Sequence, residues 1–204
     1  MTETKAKEAH VWARDELDWY REPSRCTTQL LAVEAFVGSV YDPCCGAGST
    51  IEALLAAGHE AWGSDIRRRV PLDTPWWRGE RDFLAERYDY ANVVMNPPYF
   101  SGKGTEAFIR RALEVVEGKI AVFVDRRFLT GQGRARGLYR QHPPTRVWEI
   151  TPRPSCPPGE WLEAGNKAGG GTADYAWLVW DQTAPRGGTS LGWLTVDNSG
   201  IDAR

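Results

Sequence analysis

From residue 37 onward, short apolar runs alternate with segments whose apolar positions recur every three or four residues. The runs "VGSVYD" (37–42), "HEAWGSDI" (59–66), "YANVVMN" (90–96) and "KIAVFVD" (119–125) read as strands. Between the first two, "STIEALLAAG" predicts a helix that starts at Ser49 and is stopped by Gly58. "GTEAFIRRALEVVEG" predicts an amphipathic helix: Phe108, Ile109, Ala112, Leu113 and Val116 share a face, and Gly118 ends it. Such alternation predicts an α/β architecture, a mostly parallel sheet with helices on both faces. "TRVWEIT" and "DYAWLVWD" form a last strand pair of a different kind. Between them lies "PRPSCPPGEWLEAGNKAGGGTA", which has almost no periodicity and many glycines. Unstructured loops of more than about 12–15 residues are uncommon in compact domains and often functional. Residues 152–172 are therefore a candidate substrate loop, with an ordinary surface excursion as the plain alternative. The stretch "ELDWYREPSRCTTQLLAVEAF" reads as an extended piece followed by a short helix. The tail from Gln182 onward is turn-rich and reads as peripheral.

Two turns at strand ends carry the chemistry. "YDPCCGAGST" follows the first strand and opens a helix. Its glycines let the backbone pass close to a ligand, and the helix N-terminus offers unpaired N–H groups. Alone, such a turn equally serves helix–strand packing. Two acids change the picture. Asp42, at the mouth of the turn, disfavours a pyrophosphate and suits a cationic or amino-bearing ligand. Asp65 follows Gly46 by nineteen residues, at the end of the next strand, where dinucleotide-type folds keep a ribose-binding carboxylate. This combination, without the GxGxxG form of nicotinamide sites, matches S-adenosylmethionine: an amino-acid end, a sulfonium and an adenosine.

The second turn is "VVMNPPYF" (93–100). Two adjacent prolines stop the strand because neither can donate a backbone hydrogen bond. A proline turn with Tyr99 and Phe100 packed on the core explains the shape but leaves Asn96, a polar residue, at a strand end where open sheets bind ligands. A chemical reading gives each atom a task. A planar conjugated amine is a poor nucleophile because its lone pair is delocalised. If its two N–H groups donate to the Asn96 side-chain oxygen and the Pro97 carbonyl, the nitrogen is drawn toward a tetrahedral shape and can attack a methyl group. Tyr99 then offers a stacking face, a contact of about 1–3 kcal/mol for a base.

Composition narrows the setting. At 204 residues, with 42% hydrophobic and 25% charged positions, the chain suits one domain with a full core. A net charge of −2 supplies no global basic field, so phosphate contact rests on a local patch. Cys26, Cys44, Cys45 and Cys156 form no CxxC, and no histidine stands at metal spacing, so no metal site and a reduced, cytoplasmic setting are expected. No apolar run approaches the roughly 18 residues that span a bilayer, and the first residues lack the apolar core of a signal peptide; no membrane partner is expected. None of His10, His59 and His142 has a partner suggesting a triad.

"DPCCGAGS", "GSDI", "RDFL" and "NPPYF", in this order and spacing, resemble class I S-adenosylmethionine-dependent methyltransferases of the amino-methylating group. Residues 17 to 181 are similar to the small phage- and prophage-type DNA adenine methyltransferases, with "DWYREP" resembling an N-terminal cofactor motif. The resemblance implies a Rossmann-like, mostly parallel seven-stranded sheet with an antiparallel C-terminal strand and helices on both faces. It divides the chain into a cofactor-covering segment (1–36), a catalytic domain (37–181) and a tail (182–204). Carried over, Asp42, Pro43, Cys44, Gly46 and Gly48 hold the methionine part of S-adenosylmethionine. Asp65 takes the ribose with Ile66 beside the adenine, and Asp82 approaches the adenine amine, a helix N-cap being its alternative. Tyr20 and Pro23 cover the cofactor, and Asn96, Pro97, Pro98 and Tyr99 are catalytic. Larger members carry a separate target-recognition domain, for which this chain has no space, so sequence choice would fall to the 152–172 loop or a partner chain, or be weak.

The Arg-rich stretch "DRRFLTGQGRARGLYRQHPPTR" follows the strand after the asparagine turn and should start on the same rim. Phe100, Arg126, Arg127, Arg134, Arg153, Trp161 and Lys167 are the candidate substrate contacts, a solvated surface being the alternative for the charges. The expected activity is methylation of the 6-amino group of adenine in DNA, with the base extruded from the duplex. An RNA base amine, the cytosine 4-amino group and a protein glutamine amide present the same nitrogen and remain alternatives. A cofactor-binding regulatory or DNA-binding module is the non-enzyme alternative.

Overall fold

The computed structural model describes residues 17–185 and 187–196. His10 and the rest of 1–16, with the end of the expected tail, lie outside the described residues. Eight strands form one sheet: β1 (Val40–Asp42), β2 (Ala61–Asp65), β3 (Trp77–Glu80), β4 (Asn92–Met95), β5 (Lys119–Asp125), β6 (Arg146–Ile150), β7 (Tyr175–Asp181) and β8 (Ser190–Leu194). Their order is β3-β2-β1-β4-β5-β7-β6-β8. Pairing is parallel from β3 to β5, β7 runs antiparallel to both β5 and β6, and β8 is parallel to β6. The expected seven strands thus become eight, and the antiparallel strand is internal rather than last. β3 and β8 were not foreseen because both are edge strands. "WRGE" is at most half-buried, and "SLGWL" is buried only at Leu194, so neither shows an apolar run.

Both faces of the central strands are dry. Along β4 and β5, Val93, Met95, Ile120, Val122 and Val124 point into one cluster, while Val94, Ala121 and Phe123 point into another. That two-residue alternation between two buried clusters is why the strands read as continuous apolar runs. On the first face lies α3 (Lys103–Val115), which buries Thr105, Ile109, Ala112 and Val115. On the second lie α1 (Arg25–Leu31) and α2 (Ser49–Ala56), through Cys26, Leu30, Ile51 and Leu54. Three further helices are short: α4 (Gln132–Arg136), α5 (Leu138–Gln141) and α6 (Gly159–Glu163). The last lies inside the stretch expected to be a structureless loop. "FLAERY", by contrast, forms a turn rather than a helix.

β1 and β4 lie side by side, yet the chain leaves β1 toward β2 and leaves β4 toward β5 on the opposite side. Two crossovers that diverge from adjacent strands open a crevice at their C-terminal ends. The glycine turn follows β1 and the asparagine turn follows β4, so the topology brings the two together. Glu34 fastens the loop after α1 to the sheet. Its buried carboxylate accepts from Lys119 Nζ (2.7 Å), Trp148 Nε1 (2.9 Å) and the Arg146 guanidinium. Burial opposes its ionisation, but those hydrogen bonds, Arg146 first, outweigh it and hold its pKa below the ordinary value. Arg146 therefore ties the sheet together and does not join the rim of the crevice.

Candidate active site

The glycine turn is drawn tight by the two acids around it. Asp42 Oδ1 accepts from Cys44 N (3.1 Å), and Asp65 accepts from Gly46 N (2.9 Å) and Arg67 N (3.1 Å). Gly46 has φ +51°, and a Cβ there would stand 2.5 Å from Trp19 Nε1. The close approach that requires glycine is thus made by an indole of the N-terminal segment. A Cβ on Gly159 would also meet that indole, and the Arg69 guanidinium lies 3.8 Å above its ring. Trp19 is a wedge between the glycine turn, the start of α6 and a cation.

Residues 18–22 run as a strap across the mouth of the crevice. On one side the strap is bonded to the 152–172 stretch, through Arg21 N to Pro157 O (3.0 Å) and Gly159 N to Trp19 O (3.0 Å). On the other it grips the asparagine turn. Asn96 Nδ2 donates to Tyr20 O (3.1 Å) and to Glu22 Oε2 (2.6 Å), and Asp18 accepts from Phe100 N (2.5 Å). Phe100 and Ser101 adopt φ +37° and +59°, strained for side-chain-bearing residues, so the turn needs such external holds. The Asn96 oxygen faces the other way, toward the Tyr99 hydroxyl at 3.5 Å.

Two cavities meet at the strap, and Asp18 and Tyr20 line both. The smaller, of about 260 Å³, runs from the glycine turn to Asn96. Of the residues expected at a cofactor, Tyr20, Asp42, Pro43, Cys44, Gly46, Asp65, Ile66 and Asp82 line it, with Asn96, Pro98 and Phe100. Pro23 and Gly48 do not; Gly48 instead lets the Trp76 ring pack on the start of α2. Asp82 combines both of its readings: it lines the cavity and caps the following turn, accepting from Leu84 N at 3.0 Å. The larger cavity, of about 670 Å³, is lined by Tyr99, Asp125, Arg127, Phe128, Arg134 and Tyr175, with Thr172 and Ala173 from the end of the glycine-rich stretch. Pro97 lines neither, and Phe100 lies on the smaller cavity rather than the larger. Four expected substrate contacts line neither cavity. Arg126 pairs with Glu149 (3.1 Å) and Arg153 with Asp174 (2.6 Å), while Trp161 and Lys167 stand elsewhere on the loop. Among the described residues, no group of three His, Cys, Asp or Glu could hold a metal ion, and no helix is long and apolar enough to cross a membrane.

Sequence reading missed several residues that the fold assembles here. Glu22, Arg21, Ser49, Trp19 and Arg69 line the smaller cavity, and Asp125 and Tyr175 line the larger. The "DWYREP" stretch, with its Arg–Glu pair, was the one available signal for the first two.

The electrostatics of the two cavities differ. Burial pushes the Asp42 carboxyl well above 3.8, and the charges of Glu22 and Asp65 push it further. Burial likewise raises Glu22 above 4.5 and Asp65 above 3.8, against the hydrogen bonds each accepts. Three such acids facing one cavity favour a ligand that brings positive charge. In the larger cavity burial raises the Tyr99 hydroxyl well above 10.0, which keeps it protonated. Burial also opposes ionisation of Asp125, but the two-point grip of Arg127 (2.9 and 2.6 Å) prevails and holds its pKa below 3.8.

No protein-family model matches the sequence, and no curated protein matches it. Solved structures do. A Listeria monocytogenes protein assigned to the class I S-adenosylmethionine-dependent methyltransferases superposes with a TM-score of 0.54 at 12% identity. The match covers 86% of this chain but only 65% of that protein. Magnesium protoporphyrin IX methyltransferase from Synechocystis PCC 6803, solved with S-adenosylmethionine, gives 0.51 at 16% identity, covering 77% of each chain. The fold is that of class I S-adenosylmethionine-dependent methyltransferases. A Lactococcus lactis protein assigned as a hemolysin shares it, with a TM-score of 0.50 at 10% identity over 78% of this chain and 85% of that one. At such identities this class I fold sets the architecture and leaves the substrate to the site.

Proposed function

We propose that this protein is an S-adenosylmethionine-dependent methyltransferase that modifies the 6-amino group of adenine in DNA. The observation that carries the reading is the orientation of Asn96 at the junction of the two cavities. Asn96 lines the smaller cavity; its amide nitrogen is engaged by the strap, while its oxygen faces the hydroxyl of Tyr99, a residue that lines the larger one.

The smaller cavity fits the cofactor on chemical grounds, since Glu22, Asp42 and Asp65 are buried acids that a cationic ligand would satisfy. Asp65 would accept from the ribose hydroxyls and Asp42 would lie near the amino group. The Arg21 guanidinium, 3.4 Å from Ser49 Oγ at the N-terminus of α2, would complement a carboxylate. Once bound, the cofactor supplies an electrophilic methyl group on a positively charged sulfur. The protein's own residues do the rest. Asn96 Oδ1 would accept an N–H group of the amine and draw its lone pair out of conjugation; the Pro97 carbonyl, expected to share that task, belongs to a residue that lines neither cavity. Tyr99, kept neutral, offers a face to the ring. No general base is needed in the attack, because the nitrogen becomes acidic only after it is methylated; orientation and electrostatics supply the rate.

Nucleic acid as the substrate is supported by the larger cavity. It joins the aromatic rings of Tyr99, Phe128 and Tyr175 to the cations Arg127 and Arg134, a combination suited to an extruded base and its phosphates. The test is transfer of a tritiated methyl group from S-adenosylmethionine to separate pools of DNA, RNA and protein, followed by identification of the labelled product. N6-methyladenine from DNA is expected. Label in RNA, on cytosine or on a glutamine amide overturns the substrate, and no label in any pool overturns the enzyme.

A further inference from the structure

The proposed chemistry depends on which end of the Asn96 carboxamide faces the substrate. Rotating the group by 180° exchanges its oxygen and nitrogen at almost no steric cost. In the wrong orientation an NH2 group would confront the amine, donor against donor. We propose that Glu22 is a positioning residue that locks the Asn96 amide with its oxygen toward the substrate side. This rests on the methyl-transfer reading above.

Three observations support the assignment. Glu22 Oε2 accepts from Asn96 Nδ2 at 2.6 Å, the short distance of a hydrogen bond with a charged partner. Tyr20 O accepts from the same nitrogen at 3.1 Å, so the amide nitrogen meets two acceptors at once. Turning the amide over would set its oxygen against a carbonyl and a carboxylate. Finally, the carboxylate is itself held: Thr50 Oγ1, in α2, donates to Glu22 Oε1 at 2.8 Å. Glu22 is therefore a buried bridge from the helix that follows the glycine turn to the asparagine turn, 74 residues away along the chain. Its two oxygens have separate tasks, one fixed by α2 and the other directing Asn96. The same bridge couples the walls of the cavity on which the two reactants would converge.

The test separates the acceptor from the charge. E22Q keeps an oxygen for Asn96 and places an NH2 group against Thr50. E22A and E22M remove the acceptor, the methionine keeping the packing volume should the alanine fail to fold. In 15N-labelled protein the Asn96 side-chain amide, assigned by its disappearance in N96A, should show slowed solvent exchange in the wild type and in E22Q. In E22A or E22M it should exchange markedly faster, with Tyr20 O left as its acceptor. At saturating methyl donor and substrate, kcat should fall about 10- to 100-fold in E22A and E22M and stay within about threefold in E22Q. Donor affinity is expected to drop in all three, because each removes a negative charge. Unchanged amide exchange in both E22A and E22M overturns the proposal, as does a loss of kcat in E22Q as deep as theirs. If the wild type transfers no methyl group to any pool, the methyltransferase reading fails, while the amide signals still decide whether Glu22 fixes Asn96.

Discussion

The two cavities that meet at the strap differ in the balance and the burial of their charged groups. The smaller is walled by buried acids, and its polar groups are tied by contacts from distant parts of the chain: Asp65 to Gly46, Glu22 to Thr50 and Asn96. The larger joins rings to guanidinium groups, and its best-defined ion pair, Asp125 with Arg127, spans two residues with its arginine end in solvent. The first suits one small cation held in one pose. The second suits an anionic, ring-bearing partner whose surface can vary. The asparagine turn places one of its proposed catalytic side chains on each, Asn96 on one and Tyr99 on the other.

Breaking that junction should have the largest effect. Asn96→Ala removes the acceptor proposed for the amine and should lower methyl transfer by about 100-fold or more. Affinity for S-adenosylmethionine should change by less than about threefold, since Asp42 and Asp65 are untouched and Glu22 keeps its bond from Thr50. Calorimetric titration beside a transfer assay reads both. A parallel loss of affinity would mean that the turn shapes the smaller cavity and that the two sides are not separable.

Asp65→Ala attacks one side alone. It removes the carboxylate proposed for the ribose and deprives Gly46 N of its acceptor, so donor affinity should weaken by about 10- to 100-fold, the worth of one or two hydrogen bonds to a charged group. DNA binding, followed by fluorescence anisotropy, should not move.

Changing pH sharpens the contrast without mutation. The carboxyls of Asp42, Glu22 and Asp65 lie above their ordinary values of 3.8 and 4.5 when folded, chiefly through burial. Between the ordinary and the raised values the folded protein holds protons that the unfolded chain has released. These groups therefore favour the fold most at low pH, and their contribution declines as pH rises through the raised values. A cationic ligand favours the ionised forms, so its binding should release protons and tighten with rising pH, by at most about tenfold per unit for each proton released. The increase in melting temperature caused by S-adenosylmethionine should accordingly grow as pH rises above the ordinary carboxylate values. A ligand-induced increase that does not change with pH would sever the acids from the cofactor.

How far the sequence foretold this contrast depends on the range of the contacts that build each part. β1, β2, β4 and β5 were legible because burial on both faces writes an unbroken apolar run. The two turns were legible because glycine and proline mark a strand's end and a polar residue beside them needs a reason. Asp42, Asp65 and Asn96 sit where the crossovers diverge, which follows from the strand order. β8 escaped because an edge strand with exposed Leu191 and Trp193 has no buried side to write the pattern. Glu22 escaped because its partners Thr50 and Asn96 lie 28 and 74 residues away, and no local spacing encodes such a bond. The Arg-rich stretch was legible only as charge. The fold sends Arg146 to Glu34 and Arg126 to Glu149, and leaves Arg127 and Arg134 at a cavity.

That sorting of arginines gives the smallest effect and the finest test of the larger cavity. Arg127 and Arg153 are both exposed, and each is paired with one carboxylate, Asp125 at 2.6 Å and Asp174 at 2.6 Å. They differ in place: Arg127 lines the larger cavity and Arg153 does not. A guanidinium that neutralises a phosphate displaces about one counterion, so its removal should lower the slope of log affinity against log salt by about one. Arg127→Ala should show that change with DNA, and Arg153→Ala should leave the slope as it is. Both substitutions free an acid, so a general electrostatic effect would appear in both variants alike. A slope that falls equally in the two would mean that DNA follows the exposed charge of the surface and takes no guidance from the cavity.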